Sequence, residues 1–226
     1  LLFDLIAQGE RAGADITLDT YPYLAGMTYL HALLPSWVQA GGIETMRMRL
    51  REPEVRKKVI HELMVTGSDG AHGNTVNFET IVIAGVEKAL ELVGMRFDEA
   101  AKRAGKDPVE FYLDFLDEEN YKVSAVLHGG HEPNVRSIMQ HPKHMVGSDG
   151  ILVGNRPHPR GYGTFARYLG VYGRDEHVLS FEGAVARMTG RPARRLGLSN
   201  RGLIKQGYRA DLVLLHRDSV IDRSTY

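Results

Sequence analysis

Residues 145–160 read MVGSDGILVGNRPHPR. A short apolar run enters a Ser-Asp-Gly turn, and a loop with one histidine and two arginines follows. His144–Gly147 has the pattern of a brief buried strand, and residues 150–163 have the composition of a loop. Asp149 therefore sits where a strand ends. In an α/β protein with parallel strands, chemistry gathers at the C-terminal ends of the strands.

Working outward, strands and helices alternate on both sides of this stretch. Glu132–Gln140 is a helix candidate before it, and Lys122–Leu127 (KVSAVL) is a strand candidate before that. Thr164–Tyr172 and Phe181–Met188 read as helices, the second with Ser180 as its N-cap. A short helix over Pro192–Leu196 ends at Gly197. Ala210–Leu215 has a buried strand pattern. Near the start, an amphipathic helix with Leu1, Leu2, Leu5 and Ile6 on one face precedes Ile16–Tyr21, an alternating strand closed by Pro22. Residues 25–120 differ from their flanks. They carry helical stretches at Pro35–Ala40, Ile43–Arg51, Pro53–Met64, Asp98–Ala104 and Pro108–Glu119, a glycine-rich loop at 67–74 and one strand at Phe78–Ala84. Strands alternating with helices predict an α/β fold with a parallel sheet.

Composition limits the function. The 226 residues carry 28 Lys+Arg against 28 Asp+Glu, a formal charge of zero. This argues against nucleic acid or an anionic membrane as partner. There is no cysteine, so any metal must be held by His, Asp or Glu. No apolar run approaches the roughly 18 residues that span a bilayer, and a cytoplasmic location is the default expectation. Neither a phosphate-binding GxxxxGK[ST] nor a GxSxG nucleophile turn occurs.

Several residues are candidates for chemistry. Asp149 can take a proton from an attacking water and return it to a leaving amine; the same placement also suits an N-cap or Asx-turn. The tripeptide recurs as Ser68-Asp69-Gly70 with no strand before it, so the motif alone decides nothing. Arg160 can hold a carboxylate by a bidentate pair or bond loop carbonyls, and His158 lies beside it between two prolines. Tyr21 and Tyr23 can line a pocket or pack at a rim. His128 and His131, three apart in LHGGHE, can ligate a metal or serve structural roles.

Four stretches taken together resemble the amidohydrolase superfamily, in its N-acyl-D-amino-acid deacylase branch: LDTYPYLAGMTYL, MVGSDGILVGNRPHPRGYGTFARYLG, LSFEGAVARMTGRPARRLGL and RGLIKQGYRADLVLL. The resemblance covers residues 14–30 and about 120–226. It implies the C-terminal part of a metal-dependent (β/α)8 TIM barrel that uses zinc, with an inserted, mainly helical segment and the return strands of a small β-sandwich domain. The expected organisation is a barrel βα unit at 1–24, an insertion over the barrel mouth at 25–120, the last barrel strands and helices at 121–199, and a β-sandwich segment at 200–226. It implies zinc-dependent hydrolysis of the amide bond of N-acyl-D-amino acids or related small amides. Asp149 is then the general acid/base and a weak ligand of a second metal, and Tyr21, Tyr23, His158 and Arg160 lie around the substrate. Met27 stands where relatives often carry a small polar residue. His128 and His131 stand where relatives of that branch have apolar residues. The main histidine ligands are expected upstream of Leu1, in a front half of the barrel that would be the partner of this chain. Two alternatives stand beside this: a ring-opening amidohydrolase of dihydroorotase or hydantoinase type, and a non-catalytic fragment lacking the metal site. Self-association is left open.

Overall fold

The computed structural model describes residues 2–226. The chain divides into two compact units. One holds the chain up to Leu24 together with Gly130–Gly150 and Pro159–Thr225; the other holds Ala25–Gly129, Ile151–His158 and Tyr226. The strands are β1 (Leu18–Thr20), β2 (Ala25–Tyr29), β3 (Ile81–Gly85), β4 (Ser124–His128) and β5 (His144–Val146).

In the first unit β1 and β5 pair in parallel, with Leu18 opposite His144 and Thr20 opposite Val146. Parallel neighbours cannot be joined by a tight turn and need a long crossover, and here the intervening sequence contains Ala25–Gly129, the main part of the second unit. The helix Glu132–Gln140 leads into β5. After the loop come helices Arg160–Arg167, Phe181–Met188 and Gly190–Arg195. Met139, Val146, Tyr168, Leu169, Tyr172, Leu179 and Ala184 form the core. Ser180 caps its helix as the sequence predicts, accepting the Gly183 N–H at 3.0 Å. The helix expected over 164–172 begins four residues earlier, directly after Pro159. It then widens into a π-helical segment, Tyr168–Asp175. Proline at a helix start costs no hydrogen bond, so the Pro-His-Pro stretch starts the helix instead of extending the loop.

In the second unit β4 lies between β2 and β3, antiparallel to both. Two readings are corrected here. The segment Lys122–Leu127 does not join the parallel pair: it is the central strand of this separate sheet. Its continuous apolar run, with Val123, Ser124, Ala125 and Val126 all buried, fits a central strand covered on both faces, and parallel and antiparallel neighbours impose the same pattern. Residues 25–120 are also less helical than expected, because Ala25–Tyr29 forms β2. Its short alternation is masked by a glycine and a flanking proline. A large core packs beside this sheet, centred on Phe78, Phe97, Phe111, Tyr112 and Phe115. Phe97 lies 5.3 Å from Phe78 and 5.2 Å from Phe111, ring centre to ring centre. The buried Glu119 carboxylate accepts the backbone N–H groups of Glu87, Lys88 and Ala89 at 2.7–2.9 Å, fixing the turn after β3.

The β-sandwich return strand expected at Ala210–Leu215 is not formed. Residues 201–226 contain no strand, and Val213 and Leu214 are 87% and 101% exposed. A strand exists only with a neighbouring edge to pair with, and among the described residues none pairs with this one. No helix among the described residues is long and apolar enough to cross a membrane.

Phe97→Ala should cost about 3–5 kcal/mol, the usual range for a buried phenylalanine. Urea unfolding reads this directly; a loss below about 1 kcal/mol would mean the aromatic cluster is not the core of its unit.

Candidate active site

The parallel pairing of β1 with β5 sends both strand ends to one side. The Gly147 N–H donates to the Thr20 carbonyl at 3.2 Å and continues the pairing one step further. Tyr21-Pro22-Tyr23 leaves one strand there and Ser148-Asp149-Gly150 leaves the other. Arg160, the first residue of its helix, reaches the same place. Its guanidinium lies 2.9 Å from the Asp149 carboxylate and 4.6 Å from the centre of the Tyr21 ring.

Arg160 is only 2% exposed. Burying a guanidinium is costly and is offset by an anion and by a polarisable surface; Asp149 and Tyr21 supply these. The Asp149 side chain itself is 67% exposed. One carboxylate oxygen is thus held by a buried cation while the group remains open to solvent and to a small molecule. Asp149 has φ of +46°, a left-handed conformation unusual outside glycine and tolerated best by Asp and Asn. Strain of this kind clusters at functional positions. Gly150 follows because a Cβ there would lie 3.1 Å from the Gly161 Cα.

The other Ser-Asp-Gly tripeptide is purely structural. Ser68 is buried and donates to the Leu33 carbonyl at 2.9 Å, and Asp69 accepts the Ser36 N–H at 2.8 Å. Hydrogen bonds from Ser36 hold the Asp69 carboxyl below its ordinary range. Asp149 is instead engaged by an arginine at a strand end, and this difference separates two identical tripeptides.

Tyr23 occupies the same unit with a different role. Its hydroxyl donates to Asp222 at 2.6 Å, and Arg167 lies over its ring at 5.2 Å. Burial and then the Asp222 carboxylate hold the phenol well above its ordinary value, so it stays protonated. Burial raises the Asp222 carboxyl, yet hydrogen bonds from Ser224 and Tyr23 bring it below its ordinary value overall. Asp222, Ser224 and Arg167 escape sequence reasoning because some 200 residues of chain separate the first two from Tyr23. Gly163 is required beside them: a Cβ would sit 2.1 Å from Asp222 and 2.4 Å from the Tyr23 oxygen.

His158 lies in the second unit. It is buried, its Nε2 stands 2.8 Å from the Ala25 carbonyl, and its ring meets Tyr226 edge-on at 4.9 Å. Its backbone N–H donates to the Met27 sulfur at 3.2 Å, and Met27 packs with Ala25, Ala84 and Val126. His128 ends β4 and is exposed, 5.2 Å from the Tyr226 ring. His131 is also exposed and belongs to the first unit, just before the helix Glu132–Gln140. The structure thus brings Asp149, Arg160 and Tyr21 together, with Tyr23 two residues on. Among the described residues no three His, Cys, Asp or Glu side chains converge to hold a metal ion.

A family model described as "Amidohydrolase family" matches residues 85–224. The chain is 30% identical over 221 residues to a D-aminoacylase of Alcaligenes xylosoxydans xylosoxydans, covering 98% of this chain and 36% of that protein. It is 32% identical to an N-acyl-D-glutamate deacylase of the same organism, with the same coverage. Among solved structures, a D-aminoacylase described as defining a novel subset of amidohydrolases matches with a TM-score of 0.70 and 29% identity, over 98% of this chain and 37% of that one. An N-acyl-D-glutamate deacylase from Bordetella bronchiseptica, complexed with zinc and a phosphonate mimic of the tetrahedral intermediate, matches with a TM-score of 0.72 and 29% identity, over 99% and 38%. The chain spans little more than a third of the length of these relatives.

His144 lies on β5, and burial pushes its imidazole down to about 3, with Arg187 and Arg191 adding repulsion. The Tyr168 hydroxyl donates to the Thr20 carbonyl and lies 3.2 Å from His144 Nε2. The native chain keeps this ring neutral, whereas the unfolded chain protonates it near 6.5. Stability should therefore fall as pH drops from about 6.5 toward 3, by roughly 1.4 kcal/mol per pH unit for this group. Unfolding free energies measured at pH 7, 6 and 5 should show that slope reduced by the same amount in His144→Asn; equal slopes would refute the assignment.

Proposed function

This chain belongs to the amidohydrolase family, and on that premise we propose that it works in the hydrolysis of the amide bond of N-acyl-D-amino acids. The observation that carries the reading is the contact between the exposed Asp149 carboxylate and the buried Arg160 guanidinium at the end of β5. Two relatives similar to it across almost its whole length are named D-aminoacylase and N-acyl-D-glutamate deacylase.

Asp149 is the general acid/base. As a water oxygen forms a bond to the amide carbon, Asp149 takes the water's proton; as the C–N bond breaks, it returns that proton to the departing amine. Arg160 and Tyr21 receive the substrate's carboxylate. Because the same guanidinium already touches Asp149, a carboxylate taken by its fork is delivered within a few ångströms of the base. Tyr23, held by Asp222, shapes the wall next to Tyr21. The β1–β5 pair belongs to a (β/α)8 barrel, and the antiparallel unit between them in sequence is its insertion.

Zinc is the cofactor this reading calls for. The described residues do not form a complete site for it, since no three ligating side chains converge; at most Asp149 contributes one oxygen. Among the described residues neither His128 nor His131 belongs to a group of three ligating side chains. The remaining ligands are expected in the part of the relatives' length that this chain does not match. Zinc analysis of residues 1–226 alone should accordingly find well under one ion per chain, and stoichiometric retention after dialysis would contradict the reading.

In the active enzyme, Asp149→Asn should lower kcat by about a hundredfold or more, the effect of losing a general base, while Arg160→Lys should chiefly raise KM. Near-normal turnover in the first variant would overturn the role of Asp149. Faster cleavage of cyclic imides than of N-acetyl-D-amino acids would favour a ring-opening amidohydrolase.

A further inference from the structure

At the opposite end of the β1–β5 pair, within the same unit, lies a cavity of about 400 Å³ lined by Asp15, Thr17, Lys143, Arg191, Arg194 and Arg195 among others. Three of these cations come from one short helix, Gly190–Arg195, and the fourth from the residue before β5. Two are neutralised. Arg195 donates to the Asp15 carboxylate at 2.5 Å and to its carbonyl at 3.2 Å, and Lys143 pairs with Glu10.

The other two are not. Arg191 is aimed by neutral groups, donating to the Pro142 carbonyl at 2.7 Å and the His144 carbonyl at 3.1 Å. Among the described residues it meets no carboxylate, and the Arg194 guanidinium, which also lines the cavity, has neither a hydrogen-bond nor an ion-pair partner. Arg187 adds to the excess. It is buried, it donates only to the Gly183 carbonyl, and its Nε has no partner among the described residues. Burial and then Arg191 lower its affinity for its proton. Like charges gathered in a concave, partly desolvated place repel one another and raise the local concentration of anions.

We infer that this cavity binds a small doubly charged oxyanion of the phosphoryl type. Arg191 is held in place by backbone carbonyls before any ligand arrives. Arg194 is unencumbered, and Thr17 offers a hydroxyl on the same wall. Two uncompensated guanidinium groups call for two negative charges, and tetrahedral oxyanions suit arginine forks. The site shares no residue with Asp149, Arg160 or Tyr21 and does not rest on the hydrolytic reading.

The test is a titration of the full chain with inorganic phosphate at constant ionic strength, balanced with sodium chloride. The thermal unfolding midpoint should rise with phosphate in a saturable way, as it does when a ligand binds the native state alone. Two-dimensional NMR of the arginine Nε–H groups should show shifts at Arg191 and Arg194. Arg194→Gln should weaken the effect at least about tenfold, and Arg103→Gln, an exposed arginine of the other unit, should leave it unchanged. Arg194 is exposed, so this variant folds; Arg191→Gln provides the second reading. No saturable effect, or an effect equal in both Arg194→Gln and wild type, would overturn the proposal.

Discussion

The pairing of Leu18–Thr20 with His144–Val146 is the constraint on which the rest depends. It is only three residues long on each side, yet it fixes three things at once. It brings the ends of two strands, distant in sequence, to one place. It buries His144 and Val146 against Tyr168, so that the π-helical segment is anchored to the sheet. It also leaves the N-terminal ends of the same strands facing the cationic helix Gly190–Arg195. A one-residue slip in register would turn every side chain to the other face, exposing His144 and burying Lys143. Burial of a neutral imidazole and exposure of an ion-paired lysine both select the observed register.

A second dependence runs through Arg160. Its burial is costly unless an anion accompanies it, and Asp149 supplies one at 2.9 Å. The left-handed backbone at Asp149 and the glycine after it are the local means of turning that carboxylate toward the guanidinium. Loop conformation, arginine burial and carboxylate placement are therefore one interaction seen from three residues.

Much of this was legible in the sequence, and the remainder failed for physical reasons. The helices Glu132–Gln140 and Phe181–Met188 match in full because apolar periodicity and caps are local signals. Asp149 was legible as a strand-end residue, and its partner Arg160 as a nearby cation. What escaped was pairing. Lys122–Leu127 has the run of a buried strand, and nothing in such a run tells whether its neighbours are parallel or antiparallel. Ala210–Leu215 carries the pattern of a strand but finds no edge to join among the described residues, and pattern without partner leaves it exposed. The Tyr23–Asp222–Ser224 cluster was invisible because its members meet only through the fold. Ser68-Asp69-Gly70 shows the limit in the opposite direction, since an identical tripeptide serves to satisfy backbone donors.

The two buried arginines of the first unit show how the same demand is met in different ways. Arg160 is covered by an aromatic face and a carboxylate, and its charge is balanced within the unit. Arg187 is buried and, among the described residues, its guanidinium donates to a carbonyl alone, with Arg191 close enough to repel it. Desolvation of a guanidinium is expensive in either case. A fold that balances one such charge and leaves the other in excess has separated its potential along the strand pair: neutralised beside Asp149, positive at the other end. That separation is a property of where Asp149 and the helix Gly190–Arg195 lie, since the chain as a whole carries no net charge. The excess arises although Asp15 and Glu10 pair with Arg195 and Lys143 at that end, because Arg191 and Arg194 remain without a carboxylate among the described residues.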